Sequence, residues 1–275
     1  PKAAAASRSP QPASTPAERT RPEVGDGDSQ RWRSREYYAG VGGLTSALGK
    51  RNIEAEGLEA YPPQGYDRSQ DLERDEVVRR EVKDIENDKV DYSHFGTPCS
   101  SWGLLNNLNG GTRSIAAPYG DGTVPREVRG NHQLKQMMRL VRALDGKKRF
   151  WSIENPRTAR LWHTKEVKKL MLRSDVISVT FAQCQYFLRP PEYDGTDDLR
   201  VRKETTLVTN IPTLGRLARM CTGGHTHVHA MGSVKVKGAR VSRAQAAGAY
   251  PPCLCRTWAT LVEAHLSQQA QSQRR

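Results

Sequence analysis

The stretch that decides the fold reads YYAGVGGLTSALGKR and spans residues 37–51. Its first residues resemble the end of a strand, and from Leu44 onward the pattern is typical of a helix. The glycines between them permit a tight turn and a close approach of a ligand to the backbone. The stretch predicts a strand–turn–helix unit at the carboxyl edge of a sheet, although a plain connection without a ligand would show the same pattern.

Short apolar runs and helical patterns alternate on the C-terminal side of this stretch. Strands are predicted over residues 53–61, 91–96, 149–153, 176–181 and 205–209. Helices are predicted over residues 44–51, 75–87, 127–145, 161–172 and 252–266. Strands that alternate with helices imply an α/β fold with a doubly wound, mostly parallel, Rossmann-like sheet.

Both ends of the chain have compositions that do not support a core. Residues 1–36 are rich in Ala, Ser, Pro and Arg and lack apolar periodicity, so we predict a disordered tail or linker. Residues 267–275 are rich in Gln, Ser and Arg and are predicted to fray. A single domain is therefore expected over residues 37–266, which is long enough for a large buried core.

Apolar runs and cysteine usage restrict the class of protein. The sequence has no run of about 18 apolar residues and no signal-peptide pattern, so we expect no membrane partner. Five cysteines, an odd number at irregular spacing, argue against a secreted disulfide framework. We expect an intracellular protein, and the sequence does not separate the nucleus from the cytoplasm or nucleoid.

Positive charge is concentrated in two segments of the chain. The formal net charge is +13, from 43 Lys and Arg against 30 Asp and Glu. Residues 37–125 carry a net −5, whereas residues 126–175 carry +9 and residues 200–275 carry +10. An acidic segment followed by basic ones suits a polyanionic partner such as a nucleic acid, and a basic surface facing solvent is the alternative.

Two predicted strand ends carry candidate catalytic side chains. Cys99 follows the strand over 91–96, and Pro98 stiffens the turn that presents its thiol. Glu154 ends the strand over 149–153, whose apolar residues are expected to raise its pKa and keep it protonated. Taken singly, each residue also has a structural explanation. Cys99 could be an inert packing residue, and Glu154 could cap the helix that follows.

These features form an ordered series of motifs. An aromatic-Ala-Gly-x-Gly-Gly turn, a Pro-Cys pair and a Glu-Asn strand end are followed by the basic segment RVRKE at residues 200–204. The series resembles the motifs of the DNA (cytosine-5) methyltransferase family, in particular its divergent members from phages and mobile elements. The resemblance covers residues 37–210 and implies a methyltransferase fold of the Rossmann-like type, with S-adenosylmethionine as cofactor and DNA as partner.

The resemblance also implies roles for individual residues. The catalytic residues would be Cys99, Glu154, Asn155 and Arg202. The cofactor site would comprise Tyr38, Ala39, Gly40, Gly42, Gly43, Leu44, Glu59, Asp71 and Pro98. Glu59 is also expected from its position, because an acidic residue after the second strand suits ribose hydroxyls. The chain departs from the family pattern at Pro156, where Val is usual, and at Glu204, where Arg is usual; its target-recognition region is reduced to residues 211–248.

The two catalytic groups suit methyl transfer to carbon 5 of cytosine. A thiolate that adds at C6 makes C5 nucleophilic, and a protonated carboxyl group at N3 stabilises the charge that develops. In a duplex, the base must leave the stack to reach the thiol. We therefore expect a lowered pKa for Cys99, through a nearby Arg or a helix N-terminus.

A Cys/His cluster reads CTGGHTHVH over residues 221–229. Its ligand types, Cys221, His225, His227 and His229, suit zinc, and Cys253 and Cys255 would add thiolates if the fold brought them near. However, alternate residues of a strand share one face without any metal, as in a basic loop that meets phosphates. Our expectation is no metal site, with zinc as the alternative.

Other functions fit the same residues. RNA is an alternative substrate, because basic residues alone do not reveal contacts to 2′-hydroxyl groups. A catalytically inactive, nucleic-acid-binding relic of a mobile element is a second alternative, and a zinc-dependent DNA-binding module is a third. The chain is expected to be a monomer, and Trp102 and Trp162 are expected to be core or lid residues.

Overall fold

A six-stranded sheet forms the centre of the fold. The computed structural model describes residues 31–273. Its strands are β1 (Trp32–Tyr37), β2 (Ile53–Leu58), β3 (Tyr92–Phe95), β4 (Phe150–Pro156), β5 (Ile177–Ala182), β6 (Leu199–Arg202), β7 (Glu204–Thr209), β8 (Thr226–His229), β9 (Ser233–Val236) and β10 (Ala239–Ser242). The central order is β2-β1-β3-β4-β7-β5, with β7 antiparallel to both neighbours and the other pairs parallel. The predicted mixed α/β fold with a mostly parallel sheet is confirmed.

Helices pack in two groups, each with its own apolar core. They are α1 (Gly43–Gly49), α2 (Asp75–Glu86), α3 (Leu105–Leu108), α4 (Pro125–Gly146), α5 (Lys165–Met171), α6 (Arg243–Ala246) and α7 (Pro252–Gln273). One core includes Val78 of α2 and Leu140 of α4. The other includes Leu48 of α1 and Trp258 of α7. The sheet lies between these two cores, as a sheet covered on both faces requires.

The first strand begins earlier than the sequence predicts. Residues 32–36 were expected to belong to a tail, yet they form most of β1, which lies between β2 and β3. The expectation was wrong because the strand is rich in charged residues. Arg35 is compensated from neighbouring elements, at 3.0 Å from a carboxylate oxygen of Glu56 and 3.4 Å from one of Glu81. Paired charges of this kind are tolerated in a central strand.

The last helix and the small sheets also differ from expectation. α7 continues to Gln273, through most of the segment predicted to fray. Within the predicted recognition region, a 3-10 helix over Pro212–Leu217 buries Leu214 and Leu217 in the core. The remainder forms two small two-stranded sheets, β6 with β8 and β9 with β10. Residues 1–30 and 274–275, which complete the predicted tails, lie outside the described residues.

The order of strands creates a crevice at one edge of the sheet. From β1 the chain passes through α1 to β2 on one side, and then through α2 to β3 on the other side. Where the connections diverge in this way, the carboxyl ends of the two parallel strands leave a space for a ligand. The turns after β1 and β3, over residues 38–42 and 96–99, lie at this edge. Within residues 31–273, no helix is long and apolar enough to cross a membrane.

Candidate active site

The glycine-rich turn after β1 is held in a conformation that suits glycine. Gly40 and Gly42 have φ angles of +55° and +67°, a region that other residues adopt at a cost. The amide of Gly40 donates to Glu59 Oε2 at 2.8 Å. Beneath the turn, the buried Glu36 of β1 accepts a hydrogen bond from the amide of Thr45 at 2.6 Å. Carboxylates therefore hold both the turn and the first residues of α1.

A cavity of about 160 Å³ lies beside this turn. Four residues of the predicted cofactor site line it: Tyr38, Glu59, Asp71 and Pro98. The other predicted members, which are not among the lining residues, are Ala39, Gly40, Gly42, Gly43 and Leu44. These five shape the turn and the start of α1, and Leu44 is fully buried in the core. The sequence did not single out two further lining residues, Glu73 and Arg129, which pair at 2.6 Å.

The polar groups of the cavity differ in how well they are satisfied. Glu59 accepts hydrogen bonds from two backbone amides, and Asp71 accepts from the Tyr66 hydroxyl at 2.7 Å. The hydroxyl of Tyr38 is buried and, among the described residues, has no hydrogen-bond partner. Burial, reinforced by the negative charges of Glu73 and Asp71, raises the pKa of Tyr38, so its hydroxyl keeps its proton. A buried hydroxyl without a partner is a binding group for a ligand.

Cys99 lies in the turn after β3 and is exposed to solvent. The surrounding protein nevertheless desolvates its thiol, which raises the pKa of Cys99 above its usual range. The positive charge of Lys203 opposes this effect, and the negative charge of Glu154 adds to it. The expectation that the pKa of Cys99 is lowered is therefore wrong for the free protein, because desolvation of the thiol outweighs the positive charge of Lys203. Lys203 was also missed, since the sequence pointed to its neighbour Arg202.

Glu154 lies near the end of β4, and the two oxygens of its carboxylate differ in their contacts. Only 6% of the residue is exposed, and its Oε2 accepts a hydrogen bond from the hydroxyl of Tyr250 at 3.0 Å. Its Oε1 is buried and has no partner among the described residues. A buried oxygen in this state costs free energy unless a ligand donates to it or shares a proton with it. Oε1 is therefore a candidate binding group, on a carboxylate whose charge acts on the Cys99 thiol.

A row of hydrogen bonds leads from the core to Tyr250. Trp258 Nε1 donates to the Tyr92 hydroxyl at 3.0 Å, and that hydroxyl lies 2.7 Å from Ser152 Oγ. Ser152 Oγ lies 2.9 Å from Nδ1 of His94. The other ring nitrogen of His94 lies 3.0 Å from the Tyr250 hydroxyl. Sequence patterns did not reveal this row, because its members come from β3, β4, the loop before α7 and α7 itself.

The direction of every hydrogen bond in this row follows from its two ends. Burial lowers the pKa of His94 to about 3, so the neutral ring has one donor and one acceptor. Because Tyr250 donates to Glu154, its oxygen accepts from His94 Nε2, and Nδ1 then accepts from Ser152. All donors thus point toward the carboxylate. The row holds Tyr250 as a donor and fixes the orientation of Glu154.

Two further contacts hold the strand ends together. The side-chain amide of Asn155 donates to the carbonyl oxygen of Thr97 at 2.8 Å, which ties the end of β4 to the turn that carries Cys99. After this turn, the guanidinium of Arg113 stacks 3.5 Å from the ring centroid of the fully buried Trp102. Both contacts limit movement of the nucleophile relative to the carboxylate. Trp102 and Trp162 both belong to the core, as expected.

Arg202 lines a different cavity. This second space, of about 260 Å³, is also lined by Lys203, Glu204 and members of the Cys/His cluster. Arg202 is exposed at the end of β6, and Glu204 pairs with Arg157 at 2.7 Å. Glu204, at the position where the methyltransferase family has an arginine, is thus part of an ion pair. The cation whose charge acts on the Cys99 thiol is Lys203.

Comparisons with known proteins include a distant structural neighbour. No family model matches the chain, and no curated protein matches it. Among solved structures, the chain is similar to the methyltransferase EhMeth of Entamoeba histolytica, with 13% identity and a TM-score of 0.39. The match covers 67% of this chain and 55% of that chain, so this chain spans little more than half of that protein. Similarity at this level carries no argument about function, which has to come from the site itself.

Proposed function

We propose that this protein transfers a methyl group from S-adenosylmethionine to carbon 5 of cytosine in DNA. One observation carries the proposal: Cys99 follows β3 and Glu154 lies near the end of β4, the parallel neighbour of β3, and the charge of Glu154 acts on the Cys99 thiol. Glu154 keeps one oxygen without a partner, while Tyr250 holds the other. A nucleophile beside a carboxylate with a vacant hydrogen-bond position suits addition to a ring that carries a nitrogen to be held.

The residues of the first cavity fit S-adenosylmethionine. The unpartnered hydroxyl of Tyr38, the carboxylates of Glu59 and Asp71, and the glycine-rich turn offer donors, acceptors and close backbone approach. Glu59 would hold the ribose hydroxyls, and Pro98 would separate this cavity from the thiol. When bound there, S-adenosylmethionine supplies an electrophilic methyl group.

The residues of the chain would prepare cytosine to accept that group. The Cys99 thiolate forms a bond to C6, while a proton shared between Glu154 Oε1 and ring nitrogen N3 offsets the charge that develops. Electron density then rises at C5, where a bond to the methyl carbon would form as the bond between that carbon and the sulfonium sulfur breaks, with S-adenosylhomocysteine as the leaving group. Loss of the C5 proton to water and breakage of the sulfur–C6 bond return Cys99 to its initial state. Asn155 keeps the two catalytic strand ends at a constant separation.

DNA is proposed as the partner because of charge and exposure. Lys203, whose charge acts on the Cys99 thiol, and its neighbour Arg202 line the second cavity, and the exposed residues Lys235 and Arg240 add positive charge on the small sheet of β9 and β10. Contacts of this kind position phosphates rather than read bases. With few residues beyond the core in this region, we expect limited sequence specificity.

Covalent trapping tests the reaction and the nucleophile together. The protein is incubated with S-adenosylmethionine and DNA that contains 5-fluorocytosine, whose fluorine blocks the elimination step. An adduct that survives denaturant is expected for the parent protein and for the control Cys253→Ser, and none for Cys99→Ser. The same probe in RNA separates the two substrates. If the folded parent forms no adduct with either nucleic acid, the proposal is wrong and an inactive nucleic-acid-binding protein is favoured.

A further inference from the structure

A second group of reactive side chains lies away from the Cys99 thiol. Cys184 comes from the 3-10 turn Gln183–Tyr186 after β5. Cys221 and His225 come from the segment that leads into β8, and His227 lies within β8. One donor atom from each of these four residues lies within 4.8 Å of the other three. His229, Cys253 and Cys255, which the sequence offered as further ligands, are not part of this group.

The distances within this cluster are close to those of a tetrahedral metal site. Cys221 Sγ lies 3.6 Å from Nε2 of His225 and 3.6 Å from Nε2 of His227. Around zinc, with Zn–S and Zn–N bonds of about 2.3 and 2.0–2.1 Å, a sulfur and a nitrogen ligand are about 3.5 Å apart. The two Nε2 atoms, 2.8 Å apart, would separate by about 0.5 Å to reach the tetrahedral value.

The chemistry of the donors selects the metal. Two thiols and two imidazoles form the Cys₂His₂ set that zinc prefers in structural sites, with all four positions taken by the protein. The surroundings also support bound thiolates, because the amide of Gly223 donates to Cys221 Sγ at 3.4 Å.

The small sheet formed by β6 and β8 has a small apolar core. Its cluster contains three buried residues, Leu188, Val201 and Ala247, with Val228 and Ala230 partly buried against it. Small structural units with so little core usually need a disulfide or a metal for stability. Among the described cysteines, none forms a disulfide. A metal would join the turn after β5 directly to β8 and so add a connection between the small sheet and the central domain.

We propose that Cys184, Cys221, His225 and His227 bind one structural zinc ion that fixes β8, and through it the basic strand β6, to the central domain. β8 pairs in parallel with β6, with His227 opposite Arg200 and His229 opposite Arg202. The zinc ion thereby positions Arg202 and the adjoining Lys203 without taking part in the reaction. The proposal does not rest on methyltransferase activity and differs from the sequence-based expectation of no metal.

Metal content of the purified protein provides the first test. After expression with zinc and purification without chelator, the parent is expected to contain about one zinc ion per chain, as a closed four-ligand site requires. Cys184→Ser and Cys221→Ser should lose most of it. His229→Gln, on the same strand, and Cys253→Ser are matched controls that should retain it. A parent protein without zinc, or a Cys221→Ser variant with full zinc content, would overturn the proposal.

A second test uses only the parent protein, so it does not depend on whether a variant folds. Zinc is removed with a chelator and replaced with Co²⁺, which should produce the charge-transfer absorption of thiolate-bound cobalt. Hydrogen exchange should become faster in β6 and β8 on zinc removal and be restored by zinc, with β1 and β3 unchanged. Two results would contradict the site even if the sample contains zinc. One is cobalt binding without the thiolate absorption band, and the other is a hydrogen-exchange rate in β8 that is the same with and without the metal.

Discussion

The reactivity of Cys99 depends on two opposing influences on its thiol. Desolvation raises the pKa of Cys99, and the nearby charge of Lys203 lowers it. Because the raised pKa leaves little thiolate at neutral pH, the free protein should react slowly there and faster at alkaline pH. A polyanion bound near Lys203 would change the effect of its charge on the thiol. The pH dependence of Cys99 reactivity should therefore be measured first on the free protein.

Replacement of Lys203 tests this balance directly. In Lys203→Met, the thiol loses its nearby cation, so the pH profile of Cys99 alkylation should move to higher pH. At pH 7.5 the rate should fall about 3- to 10-fold, since less thiolate is present. Lys203→Arg is the control that keeps the charge. The rate at Cys99 is followed by mass spectrometry of its peptide, and a profile that does not change in Lys203→Met would contradict the assigned role.

In the proposed reaction, Tyr250 would act through its hydrogen bond to Glu154. Tyr250→Phe removes the donor to Glu154 Oε2 and interrupts the row from His94. Methyl transfer should fall about 10- to 100-fold, as the loss of a hydrogen bond to a charged group implies. Binding of S-adenosylmethionine, measured by calorimetry, should change little. Tyr193→Phe is a matched control at a more exposed site, and equal losses in both variants would show that the effect is not specific to the row.

At the scale of elements, β2 must pass closely beneath the glycine-rich turn. A β-carbon at Gly57 would lie 2.8 Å from Thr45 Oγ1 and 2.9 Å from the β-carbon of Ala39. The Thr45 side chain is also hydrogen-bonded to Glu36, so it cannot move aside freely. Gly57 is therefore required by the packing of α1 and the turn against β2, which a single-sequence pattern does not reveal.

Gly57→Ala should destabilise the protein and weaken cofactor binding. Overpacking of a tight contact costs about 1–3 kcal/mol, and the resulting shift would move the turn that lines the cofactor cavity. Gly49→Ala, at the end of α1, meets no atom within 4 Å and should be neutral or slightly stabilising. Denaturant unfolding and S-adenosylmethionine titration of both variants provide the measurements. Equal stability of the two variants would show that β2 can accommodate the extra methyl group.

Local patterns predicted most elements because they depend on neighbours in the chain. The apolar face of α4, from Leu134 to Leu144, repeats at helical spacing and is buried. By contrast, β1 was partly missed because its Arg35 is compensated by Glu56 and Glu81, which lie 21 and 46 positions away in the sequence. Charge compensation between distant segments leaves no local periodicity, so a polar central strand resembles a tail.

At the scale of the whole molecule, a buried carboxylate makes stability depend on pH. Glu36 is 2% exposed, and burial raises its pKa to about 7 despite the hydrogen bonds from Thr45. The unfolded chain releases this proton near the usual pKa of a glutamate, at about 4.3. Between these two values the folded protein holds the extra proton, so its contribution to stability decreases as the pH rises to about 7.

Glu36→Gln should remove this pH dependence. Gln keeps an acceptor for Thr45 but carries no charge, so the variant should gain stability relative to the parent as the pH rises from 5 to 8. The relative gain is up to about 3 kcal/mol, which corresponds to the change in pKa on folding. Urea unfolding across this range measures it, with Glu54→Gln, an exposed position on β2, as control. A difference between variant and parent that is the same at all pH values would contradict the assignment.

By itself, the sequence determined the order of the central strands and of the longer helices, the glycine-rich turn and the two strand ends near Cys99 and Glu154. Those features depend on periodicity and on turn residues, which act over a few positions of the chain. Only the tertiary structure decided which side chains surround them. Tyr250 reaches Glu154 from 96 positions away, and Cys184 joins a cluster that begins 37 positions later. Packing between distant segments sets such contacts, and no local pattern records them.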